Sequence, residues 1–320
     1  MLNFILSALF ALVTAAGCGP KYTYPSDTVP GSVEKICRDE FKLDVPARTV
    51  GKTLGALFYV DDILDDKGQI PRDIHEKMGQ IMQAVTRVAL STDLALDFCV
   101  VVIRDRAHLN ELVITRSVDD TKRANSDAIG VEESINRTLF GQGKYLLSDQ
   151  GERSFVLKEI TLEDFLAEQI AQRIRFGFAK ESKEDPGQQQ PFVLVDGVFV
   201  HGDGNTEKKF RFSVLSLKTE EPHETMLSAL RTVSEVLKGY RFNGFSSIEV
   251  LDYLNRQKLE ITREVLEAYQ AKQISEQEIL DKYLTESQTI QEAFKLFGFN
   301  LTDTTDTAES GNPPIVTATP

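Results

Sequence analysis

The first chemistry this sequence offers is a thiol behind a run of small residues. Cys18 follows Ala15, Ala16 and Gly17, and these follow an apolar stretch that includes Leu2, Phe4, Ile5, Leu6, Leu9, Phe10, Leu12 and Val13. A cysteine so placed invites acylation after export. A second constellation is Arg104, Arg106 and Arg116, set at the ends of two apolar runs. Guanidinium forks recognise carboxylate and phosphate, so these three mark a polar or anion-binding patch. Asp105, His108, Asp119, Asp120, Lys122 and Arg123 stand among them, and mutual salt bridges compete with that reading. Cys37 and Cys99 form the third. Either a disulfide or two separately buried thiols accounts for them.

Other polar groupings lack the spacing that chemistry needs. Asp61, Asp62, Asp65, Asp66 and Gly68 do not follow the alternating ligand positions of a calcium loop. His201, Asp203 and Asn205 fit a glycine-rich hairpin tip better than a metal site. The four histidines have no metal-ligand spacing, and Gly141-Gln142-Gly143 is a turn without a phosphate-loop pattern. The sequence therefore names no catalytic set, no metal and no cofactor, and an enzyme is not the expected reading.

The segment Ala15-Ala16-Gly17-Cys18 resembles the lipobox of bacterial lipoproteins. That resemblance implies a diacylglyceryl group on the Cys18 sulfur, cleavage before it, and a further acyl chain such as palmitate on the freed amine. Two chains hold a protein to a bilayer where one binds marginally. Ala15 departs from the usual leucine three before the cysteine, and no lysine or arginine precedes the apolar core. Gly19 is not the aspartate that retains such proteins in an inner membrane. The resemblance thus implies a cell-envelope protein, on the outer membrane and facing the periplasm where two membranes exist.

Composition sets further bounds. The net charge of −13 over 320 residues argues against a nucleic-acid partner, because a phosphate backbone requires surplus Lys and Arg. It also disfavours electrostatic adhesion to anionic lipid, which leaves the anchor as the route to the membrane. Hydrophobic residues at 41% are enough for a folded body.

Periodicity places the elements. Asp73 to Leu90 carries apolar residues at helical spacing through Ile74, Met78, Ile81, Met82, Val85 and Val88. Phe98–Ile103 and Leu112–Val118 read as strands, after a strand near Thr53–Val60. Glu224–Leu237 is a second amphipathic helix, preceded by a meander over Phe192–Leu217 in which Asp196-Gly197 reads as a turn. Helices are expected over Val131–Phe140, over Thr161–Lys180 behind a Thr161/Asp164 cap, over Ile248–Leu254 and Leu259–Tyr269, and over Glu276–Leu284 behind a Ser275/Glu278 capping box. No residue-level repeat links the halves, whose order of helix and hairpin reads as different. Tyr240, Phe242 and Phe245 are expected to seal a helix end into the core.

The fold class expected is α+β: small antiparallel or mixed sheets on amphipathic helices, with a helical C-terminal third. Domains divide as a signal peptide 1–17, a lipidated tether 18–31 rich in Pro and Gly, an α+β domain 32–180, a linker or long loop 181–190, a second α+β region 191–299, and a disordered tail 300–320. The function expected is a membrane-anchored envelope lipoprotein with a non-enzymatic role in contacts with an envelope protein partner. Two alternatives remain. One is a solute-binding lipoprotein with a cleft between the halves, lined by some of Arg104, Arg106, Arg116, Tyr240 and Phe242. The other is an envelope hydrolase with a carboxylate pair.

Overall fold

The computed structural model describes residues 23–144, 156–181, 193–202, 207–216 and 223–287. Two compact units make up the chain, Met1–Ile160 and Thr161–Pro320. Each is α+β, with a five-stranded mixed sheet packed against helices.

The first unit runs α1 (Val29–Ile36), β1 (Ala47–Val50), β2 (Thr53–Val60), α2 (Arg72–Leu90), β3 (Phe98–Asp105), β4 (Asn110–Ser117), α3 (Val118–Asn125), α4 (Val131–Asn136) and β5 (Leu139–Lys144). Its strands lie in the order β1-β2-β3-β4-β5. Only β2 and β3 pair in parallel. A parallel pair needs a crossover, and α2 supplies it. Every residue of β3 is buried, as a central strand requires. Alternation splits its side chains. Cys99, Val101 and Ile103 join the large core with α1 and α2, while Val100 and Val102 join Leu57 on the other face.

Residues expected in the tether are already folded. The Thr23 and Tyr24 amides donate to the Ser91 carbonyl, and Val29 is fully buried in α1. The part of the tether within the described residues is therefore wall rather than stalk, because Pro30 serves at the start of a helix.

The second unit runs α5 (Leu162–Glu181), β6 (Val193–His201), β7 (Lys208–Ser216), α6 (Glu224–Tyr240), β8 (Ser247–Asp252), β9 (Gln257–Thr262), α7 (Arg263–Gln270), α8 (Glu276–Tyr283) and β10 (Leu284–Glu286). Its strands lie in the order β6-β7-β8-β9-β10, and again only the second and third are parallel. The two units thus have one topology: the same succession of elements, the same strand order and the same parallel pair.

The agreement reaches individual residues. Asp105 ends β3 and Asp252 ends β8, each accepting two turn amides and one asparagine side chain. The hairpin that follows contains Leu109 at φ 59° in one unit and Arg256 at φ 51° in the other. Ile114-Thr115-Arg116 and Ile261-Thr262-Arg263 then lead into α3 and α7. The expectation of differently ordered halves is corrected. Its cause was the reading of Ile248–Leu254 and Leu259–Tyr269 as helices, where the chain forms β8 and β9 and only then turns into α7.

Three further boundaries differ. Phe140 belongs to β5 and not to a helix over Val131–Phe140, since α4 ends at Asn136. The strand β6 passes straight through Asp196-Gly197. A Cβ on Gly197 would lie 2.5 Å from the Ala167 carbonyl oxygen, so glycine here lets α5 approach the sheet. The division falls at Ile160, which assigns α5 to the second unit rather than to the first domain. Both expected helix caps form: Thr161 with Asp164, and Ser275 with Glu278.

Candidate functional site

On the helical face of the first sheet, α2 lies over β2 and β3. Farther along that face stands α3. Between α2 and α3, over β4 and β5, opens a cavity of about 620 Å³. One wall is α2, through His75, Met78, Met82, Thr86, Arg87 and Leu90. These recur at helical spacing, so a single helix face presents them all. The floor is Ile114 and Arg116 of β4, and the far side is Thr121 and Asn125 of α3 with Thr138 and Phe140.

Arg116 is the charged group of this floor. It stands opposite Cys99 in the β3–β4 ladder, and so points to the same face as that buried thiol. Its Nε donates to Thr138 Oγ1 at 3.1 Å. Among the described residues no carboxylate accompanies it. Burial pulls its pKa below the usual arginine value, against a smaller opposing effect of the Cys99 thiol. The second arginine of the wall, Arg87, is occupied by Glu40 at 2.6 Å. No Asp or Glu lines the cavity among the described residues, although acids outnumber bases by 49 to 36 in the chain. An acid-free hollow with a half-buried guanidinium attracts an anion.

The second unit shows what the same place looks like without that opening. Between α6 and α7 remains a cavity of about 250 Å³, lined by Phe242, Arg263, Leu266 and Gln270 among others. Arg263 follows the Ile-Thr pair as Arg116 does, but as the first residue of α7, where Arg116 is still in β4. Here the arginine is neutralised: Glu264 lies at 3.3 Å and Glu267 at 3.5 Å, and Nη1 donates to the Asn243 carbonyl. Counted from the first residue of each helix, α7 carries Leu266 and Gln270 where α3 carries Thr121 and Asn125, and all four line their cavities. A leucine fills what a threonine leaves open.

The three arginines of the sequence-derived patch are not brought together. Arg104 faces away from the helices and pairs with Glu111 at 2.5 Å, directly across the ladder. Arg106 is exposed, lies over the Tyr59 ring at 5.6 Å, and stands 3.7 Å from Asp61. Arg116 lies on the opposite face from Arg104 and nearer the other end of β3. Of the three, only Arg116 lines the cavity. Cys37 and Cys99 are both buried free thiols, so the disulfide does not form. Burial raises them to about 11 and about 12. Phe242 and Phe245 stack, and both meet Phe210, while the Tyr240 hydroxyl accepts from Gln169. Cys18 lies outside the described residues, as do Asp203 and Asn205.

Sequence reasoning passed over most of the cavity. Met78 and Met82 were expected only as core filler; they are buried in the core and also line the hollow. His75, Thr86, Thr121, Asn125 and Thr138 belong to no motif. Phe140, expected inward on a helix, is 44% exposed on β5.

One cluster of potential metal ligands occurs among the described residues. Asp62, Asp105 and His108 bring one ligand atom each within 4.8 Å of one another. His108 Nδ1 lies 2.8 Å from Asp62 Oδ1, and both side chains are more than half exposed. Asp105 is buried, but its carboxylate already accepts the amides of His108 and Asn110 and the Asn110 side chain. Burial raises its pKa, and these hydrogen bonds outweigh burial and leave it below the usual range. At Asp252, with a similar hydrogen-bond set, burial prevails and the pKa is raised. Turn building, common to both units, is thus what the position does. The free ligand set reduces to Asp62 and His108, fewer than a resident zinc takes.

No helix among the described residues is long and apolar enough to cross a membrane. No family model matches the chain, and neither a curated protein nor a solved structure matches it.

Proposed function

We propose that this chain is a membrane-tethered, solute-binding protein of the cell envelope, whose first unit takes a small anion in the α2–β4–α3 cavity. The observation that carries the reading is Arg116: a half-buried guanidinium with a threonine for a partner, in a cavity that no acid lines among the described residues. Arg263, which follows the same Ile-Thr pair at the start of α7, is matched by two glutamates in a smaller hollow. The two units therefore differ at this site in the direction of ligand capacity in one and closure in the other. Pockets of several hundred cubic ångströms with a few convergent polar groups are the usual form of a small-molecule site.

The test is direct binding of short carboxylates and inorganic phosphate to the full chain and to Arg116→Gln. Saturable binding that falls at least tenfold in the variant supports the reading. Equal binding by the two proteins, or none by either, refutes it.

The tether is the other half of the proposal and rests on Ala15-Ala16-Gly17-Cys18. Labelled palmitate should enter the wild-type chain and not Cys18→Ala. A wild-type chain that takes up no label would remove the anchor.

A second reading has one observation in its favour. Asp62 and His108, held 2.8 Å apart beside Asp105, have the composition of an acid–base pair for metal-assisted hydrolysis. The commitment of Asp105 to its turn makes this the weaker reading. Tight binding of Zn²⁺ or Mn²⁺ by the full chain, lost in His108→Ala, would reverse the ranking.

A further inference from the structure

The cavity of the first unit is graded along its length. At one end Arg116 donates to Thr138, and Thr121 and Asn125 of α3 line the same cavity. Toward the other end the walls are mainly Met78, Met82, Ile114 and Phe140, with Gln83 and His75 also on the α2 side. Ladder register fixes the direction. Ile114 is opposite Val101 and Arg116 is opposite Cys99, so Ile114 stands one pleat repeat from Arg116 on the same face. Thr86 lies against Cys99 and so marks the arginine end of α2. Met82 and Met78 follow about one and two turns back toward the start of that helix. Phe140 pairs with Ile114 and closes the apolar end from β5.

The head-group chemistry is narrow. Arg116 is the arginine left without an acid among the described lining, because Arg87 pairs with Glu40. One such cation matches one negative charge. A zwitterion would also bring an ammonium, and no acid lines the cavity among the described residues to receive it. The body chemistry is equally specific. Methionine thioethers adapt to flexible apolar ligands, and an aromatic ring as exposed as Phe140 gains by being covered. Between Thr86 and Met78 the helix rises about 12 Å, room for an extended chain of medium length.

Building on the anion-binding reading above, we infer that the ligand is a monoanionic amphiphile, with its carboxylate at Arg116 and an unbranched acyl chain along Met82, Met78, Ile114 and Phe140. A lipid-derived acid of this kind is also what a protein held at a membrane surface meets.

The experiment is photocross-linking in membranes of cells that make the full chain. The probe is a ten-carbon carboxylic acid with a diazirine at its far end. Labelled peptides should map to α2 and β5 and not to the second unit. Decanoate should compete at least tenfold better than acetate, and decanol should compete poorly. Labelling should fall at least tenfold in Arg116→Gln and persist in Arg106→Gln, whose arginine is exposed. Equal competition by acetate and decanoate would overturn the amphiphile while leaving anion binding intact. Competition by decanol equal to that by decanoate, with labelling unchanged in Arg116→Gln, would overturn the anion reading itself. Labelling spread over both units would overturn both.

Discussion

Arg116 and Arg263 each follow an Ile-Thr pair in two copies of one topology, one near the end of β4 and the other at the start of α7, and only Arg263 has glutamates beside it. In the second unit Glu264 and Glu267 stand beside the guanidinium. In the first, among the described residues, Arg116 donates to Thr138 Oγ1 at 3.1 Å and the cavity opens in front of it. A charge-assisted hydrogen bond contributes about 1.5–3 kcal/mol when a ligand completes it. Arg116→Gln should therefore weaken anion binding by one to two orders of magnitude. The fold has little to lose, since no ion pair is broken; urea unfolding should shift by less than about 1 kcal/mol. Titration and denaturation of the same two proteins check this together.

The second unit also supplies a design for closing the first. Thr121→Leu copies Leu266 into the cavity. Binding should be abolished while the melting temperature holds or rises, because added apolar volume meets open space rather than packed atoms. A variant that melts lower and still binds would show that α3 does not border the ligand.

Glycines test the packing claim for the second sheet. Gly197→Ala pushes a methyl against the Ala167 carbonyl, where only backbone can yield. A loss of about 1–3 kcal/mol is expected from such overpacking. Gly177→Ala, in α5 with nothing within 4 Å of the new methyl, should instead gain up to about 1 kcal/mol. Chemical denaturation of the two variants should move in opposite directions.

Glu249 links the second unit's stability to pH. Burial by itself would raise its pKa, but hydrogen bonds from Lys258, Arg211 and Lys209 outweigh that and hold it at about 2. A depressed carboxyl stabilises the fold above its unfolded value, near 4.5, and that contribution is lost as pH falls toward 2. The side chain is only 5% exposed, so solvent screening is slight. The contribution is on the order of 3 kcal/mol. Glu249→Gln should lower stability at pH 7 and flatten the wild-type decline between pH 4.5 and 2. Parallel pH curves for the two proteins would refute the assignment.

What the sequence made legible was what depends on local pattern. The stripe from Ile74 to Val88 and that from Met226 to Leu237 are long enough to specify α2 and α6, and the Phe98–Ile103 run specifies β3. Short segments were not so determined. Ser247-Ile-Glu-Val-Leu-Asp has apolar residues compatible with either period, and its pairing with Phe210 and Phe212 across β7 decides for strand. That misreading hid the duplication, because β8 and β9 are what align the second unit with the first. The shared residues, an aspartate, an Ile-Thr-Arg and a positive φ in the hairpin, are too few to find by inspection. The site was legible only as Arg116. Its companions come from α2, β4, α3 and β5, far apart in sequence and joined only by the crossover of α2.

The most direct measurement is calorimetric titration of decanoate and acetate into the full chain in nanodiscs, with empty nanodiscs as the blank, for wild type, Arg116→Gln and Thr121→Leu. The account predicts saturable binding by wild type, a loss of at least tenfold in each variant, and no lowering of melting in the unliganded Thr121→Leu protein. Heats that match the blank in all three, or equal affinity in all three, would contradict it.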